Sequence, residues 1–185
     1  MPARRQNRNR RSKLVQAGFS LVELLIVVAI IAILAGIVTP ITLRARRTGN
    51  EASAIGSLRA LNSAETTYAA SAAKGGYATL LATLATACPG GSAAFISPDL
   101  AIDPAVKSGF TITISASTGA IAGPTDCNGT LSQSGYYTTA VPLAGGGGGL
   151  RAFASSETGT VFFDTSGVAP TEAAMLPGGG GTAIQ

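Results

Sequence analysis

The sequence predicts an α+β fold: a long N-terminal α-helix, membrane-spanning in its first half and amphipathic in its second, packed on a small antiparallel β-sheet of three to four strands. Three observations carry this. From Phe19 to Ile41 an apolar run holds a single charge, Glu23. From there to about residue 73 the chain is Ala-rich, with larger side chains at helical spacing. After Tyr77 it breaks into short alternating segments separated by Gly, Ser and Thr. The 185 residues therefore divide into a basic leader (1–18), an apolar transmembrane helix (19–43), its amphipathic continuation (44–74) and a small β-rich domain (75–185). That domain ends in a Gly-rich tail expected to be mobile.

The leader is rich in Arg and Asn and lacks hydrophobic periodicity, which predicts disorder in the cytoplasm. It also explains the charge of the whole chain, +4 with a pI near 9.4. Arg4, Arg5, Arg8, Arg10, Arg11 and Lys13 all lie in it. Once it is removed, seven basic residues face nine acidic ones, a formal balance of −2. A nucleic-acid partner is therefore not predicted, because the phosphate-neutralising charge goes with the leader. Six basic residues before the helix, against Arg44, Arg46 and Arg47 after it, favour a cytoplasmic N-terminus. Those three arginines can sit near lipid headgroups, line a filament surface or face solvent, and the sequence assigns them no role.

A helix over Phe19–Ile41 covers roughly 34 Å, enough for a hydrocarbon core of about 30 Å. A carboxylate within it costs about 2.5–3.5 kcal/mol unless it lies at the interface, is protonated or meets a cation. No Lys or Arg occurs between Phe19 and Leu43. The nearest chemically sensible cation is an α-amino group freed by cutting the chain before Phe19, a cut that also removes the leader. An ordinary secretory signal has a shorter apolar core and a small-residue cleavage site, neither of which is present. A plain signal anchor is the remaining alternative.

The basic leader, the string Gly18-Phe19-Ser20-Leu21-Val22-Glu23 and the apolar helix together resemble the class III signal of type IV pilins and pseudopilins. The resemblance implies cleavage after Gly18 by a membrane prepilin peptidase and N-methylation of the new first residue, Phe19. It implies that Glu23, at the fifth mature position, meets the N-terminal amine of a neighbouring subunit while helices stack into a filament core. It also implies the pilin fold. In that family a proline corresponding to Pro40 marks a segment that can melt during assembly. Gly36 and Pro40 are accordingly the expected helix break, as a simple bend or as a melting segment.

Beyond the break, Leu58, Leu61, Tyr68, Ala69 and Ala72 form a stripe that a sheet or loop must cover. Glu65 falls on that stripe, where a carboxylate needs backbone donors, a partner charge or, most simply, a flank position with water access. Ser57–Ala70 also resembles, less specifically, the second half of the helix in some bacterial pilin-like proteins. Lys74-Gly75-Gly76 stops the helix. One short helix is expected within 77–87. Strands are expected at Phe110–Ser115, Tyr136–Val141, Leu150–Ala154 and Thr160–Phe163, with a hairpin turn at Glu157-Thr158-Gly159. Phe110, Ile112 and Ile114 should face the helix stripe.

Cys88 and Cys127 are the only cysteines, and an even pair in an exported chain predicts a disulfide. Many type IV pilins close a loop near the C-terminus instead. This departure bears on receptor binding through such a loop, not on assembly through the helix. With no histidine and two cysteines, neither a histidine-dependent triad nor a zinc or metal-cluster site is expected. Gly145–Gly149 lacks the G-K-[ST] ending of a phosphate-binding loop and reads as a flexible connection. Asp99 and Asp103 are too few for calcium and read as loop acids. Asn128-Gly129-Thr130 fits a glycosylation sequon but reads as a polar turn.

These observations predict a non-enzymatic structural subunit without cofactor or metal. What the resemblance implies of its partners is other copies of itself or other pilins, the prepilin peptidase, the inner-membrane pilus assembly machinery and, before assembly, the lipid bilayer. Its place is then the bacterial inner membrane, followed by an extracellular pilus or a periplasmic pseudopilus. The alternatives are a pseudopilin of a type II secretion system and, from another class, a membrane-anchored extracytoplasmic binding domain that does not polymerise.

Overall fold

The computed structural model describes residues 18–91, 93–144 and 148–184. Of the leader expected to be disordered (1–18) and the connection expected to be flexible (145–149), residues 1–17 and 145–147 lie outside them. The chain divides after Pro40 into two units. One helix, α1 (Leu21–Ser71), begins in the first and ends in the second.

In the second unit, α1 buries Ala54, Leu58, Leu61 and Tyr68 along one stripe, with Ala72 buried just past its end and Ala69 half-buried. The helix stops where expected. The N–H of Ala73 donates to the Tyr68 carbonyl at 3.0 Å and that of Gly75 to the Ala69 carbonyl at 2.8 Å. Lys74 and Gly75 both take left-handed conformations, with φ of 51° and 98°, and glycine adopts this region at no steric cost. A short helix, α2 (Leu81–Leu84), follows within the predicted window.

The remaining elements are β1 (Ala105–Lys107), β2 (Phe110–Ala116), β3 (Ala122–Thr125), β4 (Leu131–Gln133), β5 (Tyr136–Pro142), β6 (Ala152–Ser156), β7 (Val161–Asp164), α3 (Glu172–Met175) and β8 (Thr182–Ala183). Six strands form one antiparallel sheet in the order β1-β2-β5-β6-β7-β8. The four predicted strands are its contiguous centre, β2, β5, β6 and β7. Each edge adds a strand that was not predicted, three residues long at β1 and two at β8. The tail expected to be mobile carries α3 and returns to the sheet as β8, paired with Phe162 and Phe163. The β3–β4 hairpin is an insertion between β2 and β5. Its Gly123 and Pro124 give β3 the composition of a turn, which hides it from pattern reading.

Phe110, Ile112 and Ile114 are buried in alternation, as predicted, and join Leu58, Leu61, Tyr68, Tyr136 and Phe153 in one core. Complete burial of each large apolar side chain stabilises by about 1.5–3 kcal/mol. Asn62 ties this face of α1 to the β6–β7 hairpin. Its Nδ2 donates to Ser155 Oγ at 2.8 Å and to the Gly159 carbonyl at 3.1 Å, and its Oδ1 accepts from the Tyr136 hydroxyl at 3.1 Å.

Glu65 corrects the expectation of a water-accessible flank, because its side chain is fully buried. The N–H of Ala78, in the segment that folds back after α1, donates to Oε2 at 2.9 Å, while Oε1 has no hydrogen-bond partner among the described residues. Burial raises its pKa to about 8, against a smaller lowering by the Ala78 bond. The carboxyl is therefore protonated at neutral pH when folded. The unfolded chain loses that proton from about pH 4.5 upward, so stability falls as pH rises and levels off above about 8. The expected slope is about 1.4 kcal/mol per pH unit. Glu65→Gln, which mimics the neutral acid, should remove it, so thermal unfolding of the two chains between those pH limits should diverge steadily. Parallel curves would refute the assignment.

Candidate functional site

Gly18, Phe19 and Ser20 precede α1, and the helix opens with the Leu24 N–H donating to the Ser20 carbonyl at 3.2 Å. Glu23 lies in the first turn, where a carboxylate is favoured by the unpaired N–H groups of a helix start. It makes no ion pair or side-chain hydrogen bond with any described residue. Every residue from 18 to 49 is exposed, including Phe19 at 73% and Ile33 at 66%. This half of α1 is long and apolar enough to cross a membrane. A helix apolar on all sides is stable only where lipid or other helices cover it. The structure thus leaves Phe19 and Glu23 together at the end of an uncovered apolar rod.

Gly36 and Pro40 both lie inside α1, which remains helical through them. Pro40 has no N–H to give the Gly36 carbonyl. The hydroxyl of Thr39 donates to the adjacent Ala35 carbonyl at 2.7 Å. A methyl group at Gly36 would meet nothing within 4 Å.

In the second unit, Cys88 and Cys127 form the predicted disulfide, with their Cα atoms 5.4 Å apart. It joins the segment after α2 to the β3–β4 hairpin. The hairpin is also held to α1, because the Tyr68 hydroxyl donates to Asp126 Oδ2 at 2.9 Å, and Asp126 Oδ1 accepts from the N–H groups of Asn128 and Thr130. The Asn-Gly-Thr stretch is thus a turn built on Asp126. The two loop acids are engaged within the domain: Asp99 pairs with Lys107 at 2.6 Å, and Asp103 Oδ2 accepts from the Leu81 N–H at 2.9 Å.

Sequence reasoning missed the contact between Glu51 and Arg151. Glu51 Oε2 accepts from Nε and Nη2 of Arg151 at 2.9 and 2.7 Å, and Oε1 accepts from the N–H groups of Leu150 and Arg151 at 2.9 and 3.3 Å. The guanidinium lies 5.0 Å from the ring centre of Phe163 and 5.7 Å from that of Phe153. Gly149 permits this approach, since a methyl there would fall 2.6 Å from Glu51 Cγ. The contact also corrects a strand boundary. The predicted strand Leu150–Ala154 is in fact Ala152–Ser156, because Glu51 takes the first two N–H groups before the ladder begins. Burial acts to raise the Glu51 pKa, but the bonds from Leu150 and Arg151 outweigh it and hold the carboxyl below its usual value. Its stabilisation is present above about pH 4.5 and is lost as pH falls through the lower folded value. Glu51→Gln should cost about 1.5–3 kcal/mol at neutral pH, with the gap to wild type closing in acid. An equal gap in acid and at neutral pH would show that the charge is not what matters.

No curated protein and no solved structure matches this chain. Residues 13–39 match the family model described as the prokaryotic N-terminal methylation motif. That span covers the end of the leader, Gly18, Phe19, Glu23 and the apolar helix almost to Pro40. The α+β layout of a long N-terminal helix and an antiparallel sheet accords with the pilin fold. The chain thus carries, at residues 13–39, the class III prepilin signal of type IV pilins and pseudopilins.

Proposed function

We propose that this chain is a structural subunit of a type IV pilus-like filament, cut after Gly18, N-methylated on Phe19 and polymerised through the first half of α1. The observation that carries the reading is the coincidence of the methylation motif with a fully exposed apolar helix whose one charge, Glu23, has no partner among the described residues. An unpaired carboxylate moved into an apolar core is strongly destabilising. An α-amino group on the Phe19 of a neighbouring subunit would neutralise it and set the axial register. Lipid covers the helix before assembly and neighbouring helices cover it afterwards. Gly36–Pro40, with one backbone bond already missing, is where α1 would yield during that transfer.

Intact mass and N-terminal sequence of the protein, taken from membrane and sheared surface fractions of its own host, test this. A chain beginning at methylated Phe19 in the sheared fraction is the expected result. The same mature chain confined to the cell envelope would indicate the pseudopilin of a secretion system. A chain retaining its leader, found only in membranes, would leave a membrane-anchored domain.

A further inference from the structure

Arg44, Arg47 and Arg151 line one open cleft of about 710 Å³ in the second unit. Arg44, Arg47 and Glu51 recur at three- and four-residue spacing, so they share one face of α1. Arg151 reaches the same face from the segment before β6. Its charge is answered by Glu51. The guanidinium groups of Arg44 and Arg47 make no hydrogen bond or ion pair with any described residue, so the cleft holds two positive charges uncompensated among the described residues. Leu150 also lines the cleft and is 67% exposed, with its own N–H tied to Glu51. The cleft begins one residue beyond Leu43, where the exposed apolar run ends.

We propose that this cleft holds the headgroup of an anionic phospholipid before assembly, with Arg44 and Arg47 on the phosphate and Leu150 entering the acyl boundary. This rests on the reading that the first half of α1 spans the bilayer. The position of the cleft, one residue past the apolar run, then places it at headgroup level, and its charge selects the anionic lipid. Arginine suits this role, because its planar fork binds phosphate oxygens in pairs. An apolar side chain exposed beside such a site gains by lying against hydrocarbon rather than water.

The test reconstitutes the full chain into vesicles of phosphatidylcholine with and without phosphatidylglycerol, extracts it in mild detergent and records bound lipid by native mass spectrometry. Wild type should retain phosphatidylglycerol in preference to phosphatidylcholine. Arg44→Gln/Arg47→Gln should weaken that retention about fivefold per arginine, roughly thirtyfold in all, while still partitioning into vesicles with an unchanged thermal midpoint. Equal retention of the two lipids, or undiminished retention by the double variant, would overturn the proposal. Displacement of the lipid by inorganic phosphate at modest concentration would also overturn it, assigning the cleft to a free anion. If the double variant keeps its lipid but fails to enter filaments, the arginines serve a neighbouring subunit instead. Failure of the wild-type chain to enter vesicles would refute the membrane reading itself, and is seen separately from any lipid preference.

Discussion

Glu23→Ala should reach the membrane and lose its leader normally, yet enter filaments at least about a hundredfold less well than wild type. The substitution leaves Gly18-Phe19, the proposed cleavage point, untouched and makes the helix more apolar, so insertion should not suffer. On the proposed reading it removes the partner for the neighbouring amine, which would then be buried unpaired among Leu, Ile and Val side chains. Leaving one member of a buried pair uncompensated costs about 3–5 kcal/mol. Glu23→Asp, a shorter carboxylate, should recover part of the loss, which separates charge from side-chain volume. Mature chain in membranes and in sheared filaments, measured by immunoblot, reports both steps. Wild-type levels of Glu23→Ala in filaments would remove Glu23 from the assembly contact.

Replacing Cys88 and Cys127 together with serine should lower stability by about 4 kcal/mol, because the bridge closes a long loop that the unfolded chain would otherwise leave open. The two cysteines are 39 positions apart in the chain. For a domain of this size the loss corresponds to a fall of roughly 8–16 °C in thermal midpoint. The bridge and the Tyr68–Asp126 bond hold the same hairpin from two sides. A second measurement therefore follows: the effect of Tyr68→Phe should be larger in the serine variant than in wild type, since the two restraints share a segment. A midpoint shift below about 3 °C on removing the cysteines would mean that the hairpin is held by the core alone.

Strand legibility followed the side chains that each strand offers. Phe110–Ala116 and Tyr136–Pro142 alternate or carry β-branched residues over seven positions each, and both were found within one residue. The edges were not. β1 and β8 are too short for a period to register, and β8 follows a run of glycines. They exist because a neighbouring strand offers them unpaired N–H and C=O groups. The β6 boundary was displaced by two residues, because nothing local to Leu150 and Arg151 reveals that a carboxylate from α1 will claim their N–H groups.

The sequence by itself determined the prepilin signal with the apolar helix it includes, the isolation of Glu23 and the α+β layout. Each of these depends on residues close together in the chain, where charge, spacing and apolar length can be read directly. The pairing of Cys88 with Cys127 followed from their being the only two cysteines, once export was expected. Tertiary structure alone decided that Glu65 is sealed from water under Ala78, that Glu51 clamps Arg151, and that Arg44 and Arg47 share a cleft with a residue about a hundred positions away. The physical reason is that a polar group's state depends on which donors and charges surround it. Those partners arrive from segments brought together only by folding.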